Sequence, residues 1–266
     1  MTLTTPGSHL DALRNTAPLV HCITNYVAMN ISANVLLAAG ASPAMVHATE
    51  EAGEFAAFAH ALSINIGTIS PAWVEGILAA VNGAKAAGKP WVLDPVAHFA
   101  TGFRRETVAK LMALKPTVIR GNASEIIALA GGASAAQGVD ARDSVSAAEA
   151  AARMLSRNAD CVVAVTGETD FVTDGVRAVW ISGGSALMPQ VTALGCSLSS
   201  LVAGYVGLEG ADPFDATVAA CAHYAVAGEA AAREAAGPGS FQPLFLDALS
   251  LIDAATLDEQ ARILPA

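Results

Sequence analysis

Apolar runs that end in a polar residue or glycine alternate along this chain with alanine-rich stretches of helical length. That is the pattern of successive parallel βα units. Strands are predicted at Pro18–Thr24, Ser42–Val46, Leu62–Gly67, Trp91–Asp94, Thr117–Arg120 and Cys161–Val165. Helices are predicted at Tyr26–Ala39, Thr49–Ala61, Arg104–Leu114, Ala123–Ala130 and Val145–Asn158, with a further one opened by Ser70 as N-cap and Pro71 at its first position. Phe171–Ile181, with Asp174-Gly175 at its centre, reads as a hairpin, and Cys196–Leu208 and Pro213–Ala236 read as helices. Several of the strands are apolar throughout, as strands covered on both faces are. The expectation is an α/β fold with a mostly parallel central sheet and helices on both faces, in a single domain over residues 1–266.

Composition changes this picture little. Hydrophobic residues make up 53% and charged ones 14%, and neither Asn15–Thr49 nor Ala178–Leu208 contains a Lys, Arg, Asp or Glu. Both stretches are broken by Pro, Gly or Asn, whereas a membrane-spanning helix needs about 20 mostly apolar residues. The surplus apolar surface points instead to subunit contacts. A net charge of −10 disfavours nucleic acid and anionic membranes as partners, since both require a basic face. Met1–Asn15 lacks the basic patch and apolar core of a secretory signal, and Cys22, Cys161, Cys196 and Cys221 show no close pairing. A cytoplasmic location with reduced thiols is expected.

In an open parallel sheet, ligands sit beyond the carboxyl ends of the strands, so the polar residues closing each run are the candidates for chemistry. These are Asn25, Asp94, Arg120 with Asn122, and Thr166 with Gly167. Asp94 sits before Pro95, on a stiff turn. Asn122 and Glu125 lie three residues apart at a helix start, a spacing that suits Mg²⁺ held through waters and equally suits simple N-terminal electrostatics. The segment Gly195-Cys196-Ser197 opens a small-residue helix whose unpaired N–H groups suit a phosphoryl group. Neither GxxxxGK[ST] nor GxGxxG is present, because Gly88-Lys89 is followed by Pro90. If phosphate is handled, the Gly195 helix start does it, with Arg120 as cation and the Thr166 hydroxyl as a further donor. A thiol at that position is expected to have a lowered pKa and to draw a proton from a substrate hydroxyl.

The segments Leu19–Asn25, Gly40–Val46, Leu93-Asp94-Pro95-Val96, Arg120–Ile126, Val165–Glu168, Gly195-Cys196 and Gly237–Phe241, in this order, resemble the hydroxyethylthiazole kinase family of the ribokinase-like superfamily. The resemblance runs almost end to end. It implies a ribokinase-like fold and ATP- and Mg²⁺-dependent phosphorylation of the alcohol of 4-methyl-5-(2-hydroxyethyl)thiazole in thiamine salvage. It further implies a homotrimer with substrate pockets between subunits. Carried across, Met45 and Ala193 contact the thiazole with Asn25 nearby, Arg120, Thr166 and Gly195 meet ATP, and Asp94 and Glu125 organise magnesium. Cys196 stands where most ribokinase-like enzymes have a catalytic Asp. Ala193-Leu194-Gly195-Cys196 replaces the family's usual Gly-Thr-Gly-Cys, and Ala97–Gly102 replaces a Gly-rich run.

Other readings weighed against this are a kinase of another small alcohol or of the pyrimidine half of thiamine, a cysteine hydrolase or transferase using Cys196, and a non-catalytic thiazole- or nucleotide-binding oligomer. The scattered histidines His21, His47, His60, His98 and His223 lack zinc-site spacing and read as packed or surface residues. Asp247 and Glu168 read as structural.

Overall fold

The computed structural model describes residues 4–131 and 141–266. Its first half runs α1 (Pro6–Thr16), β1 (Leu19–Ile23), α2 (Met29–Ala39), β2 (Ser42–Ala44), α3 (Thr49–Phe58), β3 (Ala61–Asn65), α4 (Pro71–Ala86), β4 (Trp91–Asp94), α5 (Gly102–Ala113), β5 (Val118–Asn122) and α6 (Ala123–Leu129). Then come α7 (Ala141–Ala159), β6 (Val162–Thr166), β7 (Thr169–Thr173), β8 (Ala178–Ser182), α8 (Leu194–Val206), α9 (Pro213–Glu234), α10 (Pro238–Leu251), α11 (Ala254–Gln260) and β9 (Arg262–Pro265).

One nine-stranded sheet has the order β2-β1-β3-β4-β5-β6-β7-β8-β9. β2 through β6 are parallel, and β7, β8 and β9 are added antiparallel. The predicted hairpin is present, with Phe171 paired to Trp180 and Gly175 at φ +88° in its turn. A glycine serves there because that conformation strains any Cβ.

Successive residues of a strand face opposite ways, and the core divides accordingly. Val20, Cys22, Val92, Val118, Val162, Ala164 and Val172 face one apolar cluster, shared with residues of α2, α8, α9 and α10. Trp91, Leu93, Ile119, Val163, Val165 and Phe171 face the other side, against α4, α5, α6 and α7. Helices therefore cover both faces of a sheet whose central strands are buried along their length. No helix among the described residues is long and apolar enough to cross a membrane.

Local chemistry sets the helix ends. Ser70 caps α4 by accepting from the Trp73 N–H at 3.2 Å, with Pro71 at the first position, as predicted. α2 begins at Met29 rather than Tyr26 because the Asn25 side-chain oxygen holds the Val27 and Ala28 N–H groups in a turn. α1, capped by Thr5 in a capping box with Ser8, has no counterpart in the sequence reading; neither have α10, α11 and β9.

Candidate active site

Five neighbouring parallel strands, β1, β3, β4, β5 and β6, end on the same edge of the sheet, and each delivers one polar side chain there. In order they are Asn25, Asn65, Asp94, Arg120 and Thr166, and they form a continuous row. Asn25 Nδ2 donates to Asn65 Oδ1 at 2.8 Å, and Asn65 Nδ2 donates to Asp94 Oδ2 at 2.9 Å. Arg120 pairs with Asp94 Oδ2 at 3.5 Å and donates to the Thr166 hydroxyl. Asn25, Asn65, Asp94 and Arg120 are all buried.

α8 packs against β1, β3 and β4 and brings its amino end onto this row. Its N-cap, Ala193, sits at φ +62° and no side chain among the described residues caps the helix, so its first N–H groups are uncovered. Gly195 leaves room for this contact: a Cβ there would lie 2.8 and 2.9 Å from the two terminal nitrogens of Arg120 and would force the guanidinium, which rests on the backbone itself, to shift. The Leu194 carbonyl is held from the opposite side by the hydroxyls of Tyr224 at 2.8 Å and Ser197 at 2.9 Å. Uncovered amides, the positive end of the helix dipole and a buried guanidinium thus converge on one point, a built anion site.

Charge in this site is strongly coupled. Burial raises the Asp94 carboxyl above the ordinary carboxylate range; Arg120 opposes this and Glu125 reinforces it. Burial works against the Arg120 charge, but Asp94 and Glu125 outweigh it and keep the guanidinium more firmly protonated than usual. Asp94 Oδ2 accepts from Asn65, Arg120 and Ser199, the last at 2.8 Å, while Asp94 Oδ1 is buried with no partner among the described residues.

The expected lowering of the Cys196 pKa is overturned. Its thiol is pushed up, first by burial and then by the nearby Asp94 charge. Asn25, whose amide donates to Sγ at 3.4 Å, acts in the opposite sense, as do Asn65 and Arg120, without prevailing. The dipole argument ignored the loss of solvent around the sulfur.

Glu125 is also more committed than a free magnesium ligand. One carboxylate oxygen accepts the Asn122 N–H and the other the Ala97 N–H, both at 2.9 Å, while Asn122 caps the Glu125 N–H. The three-residue spacing is thus a capping box that ties α6 to the loop after Asp94. That loop is pinned by Arg104, which donates to the Val96 carbonyl within it and to the carbonyls of Ile66 and Gly67 after β3.

Beside the row lies a cavity of about 910 Å³, lined by Arg120, Thr166, Gly167, Asp170, Gly183, Met188, Gly195 and Tyr224 among others. Its size suits a nucleotide, and Arg120, Thr166 and Gly195 of the site are among its lining residues. Burial lifts the Asp170 carboxyl to about 6, against the Gly167 N–H and Arg120. Met45, one residue past β2, and Ala193 lie outside the hydrogen-bonded row, half-buried at the rim of the same apolar cluster. Sequence reasoning missed Asn65, Ser199, Tyr224 and Asp170.

A ribokinase-like phosphotransferase is the class that this sheet edge and anion site define. The profile of the hydroxyethylthiazole kinase family matches residues 10–255. A protein named hydroxyethylthiazole kinase from Rhizobium johnstonii is 68% identical over 98% of both chains. The solved hydroxyethylthiazole kinase of Pyrococcus horikoshii OT3 superposes with a TM-score of 0.90 at 36% identity, covering 98% of both chains. A pyridoxal kinase from Staphylococcus aureus, solved with AMP-PCP and pyridoxal, shares the fold at a TM-score of 0.65 and 17% identity, over 94% of this chain and 99% of its own. The chain belongs to the hydroxyethylthiazole kinase family.

Proposed function

We propose that this chain transfers the terminal phosphate of ATP to the hydroxyl of 4-methyl-5-(2-hydroxyethyl)thiazole, as a kinase of thiamine salvage acting as one unit over its length. The observation that carries this reading is the uncapped start of α8 with Arg120 laid on Gly195 in the wall of the cavity. Phosphoryl transfer needs alignment and dispersal of charge more than covalent help, and this arrangement offers both. In this reading the nucleotide occupies the cavity, its phosphates meeting Arg120, Thr166 and the Gly195 amide. The thiazole lies toward Asn25, Met45 and Ala193, with its hydroxyl beside Cys196. As a largely neutral thiol that accepts from Asn25, Cys196 places the hydroxyl and takes its proton late, as oxygen joins phosphorus.

Magnesium fits the residues present. Asp94 Oδ1, buried and without a partner among the described residues, is a hard acceptor beside the anion site, and Glu125 retains a second lone pair on each oxygen. Among the described residues no three His, Cys, Asp or Glu side chains gather into a metal site, so Asp94 and Glu125 would hold the ion through its waters. When bound, magnesium supplies screening of the phosphate charge.

A homotrimer with pockets between subunits is part of the proposal. What supports it is the exposed apolar pair Tyr26 and Val27 directly after Asn25, with Tyr26 edge-on to Trp73 at 4.9 Å and His47 stacked on Trp73 at 4.3 Å. A second copy covering this surface would close the thiazole side. We place the enzyme in the cytoplasm, where its four free cysteines stay reduced.

The test is a coupled ADP-release assay with a panel of small alcohols, with and without Mg²⁺. Turnover is expected with hydroxyethylthiazole, in the presence of magnesium. ATP-independent consumption, or turnover of every alcohol except this one, would overturn the reading.

A further inference from the structure

Asn65 closes β3 in the centre of the row, and its neighbours fix which way its amide points. Its Oδ1 accepts the Gly67 N–H at 2.9 Å, so its NH₂ must face the other way, toward Asp94 Oδ2. Asn25 is locked in the same manner, because its Oδ1 accepts the Val27 and Ala28 N–H groups at 3.1 and 3.0 Å. Its NH₂ is thereby turned to Asn65 Oδ1 and Cys196 Sγ. Neither amide can flip without leaving backbone N–H groups unpaired.

We infer that Asn65 is a positioning residue that sets two reacting groups at once. Through its NH₂ it helps fill Asp94 Oδ2, so that Oδ1 is the oxygen left open toward the phosphate side. Through its Oδ1 it holds the Asn25 amide, whose second N–H rests on the Cys196 sulfur. Ser199 also donates to Asp94 Oδ2, but its side chain has no bond to Asn25, so it serves the carboxylate alone. The inference rests on the kinase reading for the meaning of the two groups, and on geometry for their linkage.

The experiment compares Asn65→Ala and Ser199→Ala with the unaltered chain. Two quantities are read: kcat and KM with hydroxyethylthiazole and Mg-ATP, and the rate of Cys196 alkylation by iodoacetamide at fixed pH without ATP or Mg²⁺, followed by mass spectrometry. Asn65→Ala is expected to lower kcat by about a hundredfold with KM within about threefold, as misplacement of a reacting group does. It also slows Cys196 alkylation by about three- to tenfold, through loss of the support that Asn65 gives the thiolate both directly and by holding Asn25. Ser199→Ala lowers kcat but does not slow alkylation, because a weaker Asp94 charge can only ease ionisation of the thiol. Asn65→Ser, which keeps an acceptor for the Gly67 N–H but is too short to reach Asp94, reads the same quantities if the alanine variant does not fold. Unchanged alkylation in the Asn65 variants, or kcat within about twofold, overturns the linkage. If the unaltered chain fails to phosphorylate the thiazole, the kinase reading falls, while the alkylation comparison still decides whether Asn65 governs the thiol.

Discussion

Adding a single methyl group at Gly195 tests whether the guanidinium of Arg120 must lie on the helix backbone. A Cβ at this position meets the two terminal nitrogens at 2.8 and 2.9 Å and the guanidinium carbon at 3.2 Å, where ordinary contact begins near 3.4 Å. The guanidinium would have to retreat by about 0.6 Å. Arg120 is buried and tied to Asp94 and Thr166, so the retreat disturbs both contacts and draws the cation off the amides. Overpacking of this kind costs about 1–3 kcal/mol, and displacement of a reacting group by about 1 Å can cost a factor of about 10². In the opposite direction, Ala in a helix gains about 0.8–1 kcal/mol over Gly, so overall stability moves less than activity does. Gly195→Ala is therefore expected to lower kcat/KM for Mg-ATP by about ten- to a hundredfold, with a thermal midpoint within a few degrees of the unaltered chain. The coupled ADP assay and a thermal melt measure both. Activity within about twofold at unchanged KM for ATP would refute the reasoning.

Cys196→Ala is expected to slow turnover by no more than the roughly 10²–10⁴-fold that general-base help supplies; complete loss in a folded, substrate-binding variant would point to a covalent role. Asp170 has a folded pKa near 6, raised from 3.8 by burial, so the native state binds the extra proton between these values, and stability is full below about pH 4 and falls as pH rises through 6. Asp170→Asn should flatten that fall, by about 3 kcal/mol between pH 4 and 7.5 in denaturant melts, and an unchanged slope would contradict the assignment. Ala193 holds a left-handed φ of +62°. Ala193→Gly should stabilise the chain by up to about 1 kcal/mol, read as a higher midpoint in urea, and a clear loss of stability would contradict the strain.

The central architecture was legible because a parallel sheet buried on both faces leaves little choice of residue. Trp91-Val92-Leu93 and Val162–Val165 must be apolar on both sides, so the polar residues that end such runs, Asp94 and Thr166, stand out. Asn65 escaped notice because Ile66 and Gly67 extend its run past the true strand end, placing it inside an apolar stretch. Ser199 and Tyr224 sit on helices 105 and 30 residues from the groups they bond, and no local spacing announces such contacts. Asn122 and Glu125 were seen at the right place, but their reciprocal capping was not, since capping and water-mediated metal binding use the same spacing. The thiol of Cys196 was misjudged for a physical reason: sequence shows the helix start, whereas its direction of shift is set by burial and by Asp94, which only the fold brings near. α10 was hidden by Pro243 within it, and β9 by its shortness at the sheet edge.

A crystal structure with a non-hydrolysable ATP analogue, Mg²⁺ and hydroxyethylthiazole tests the central claim most directly. The terminal phosphate is expected within hydrogen-bonding distance, about 3 Å, of the Gly195 and Cys196 amides, with Arg120 on its flank and the thiazole hydroxyl in line beside Cys196. A terminal phosphate lying away from those amides, or a nucleotide outside the cavity that Thr166 and Asp170 line, would contradict it.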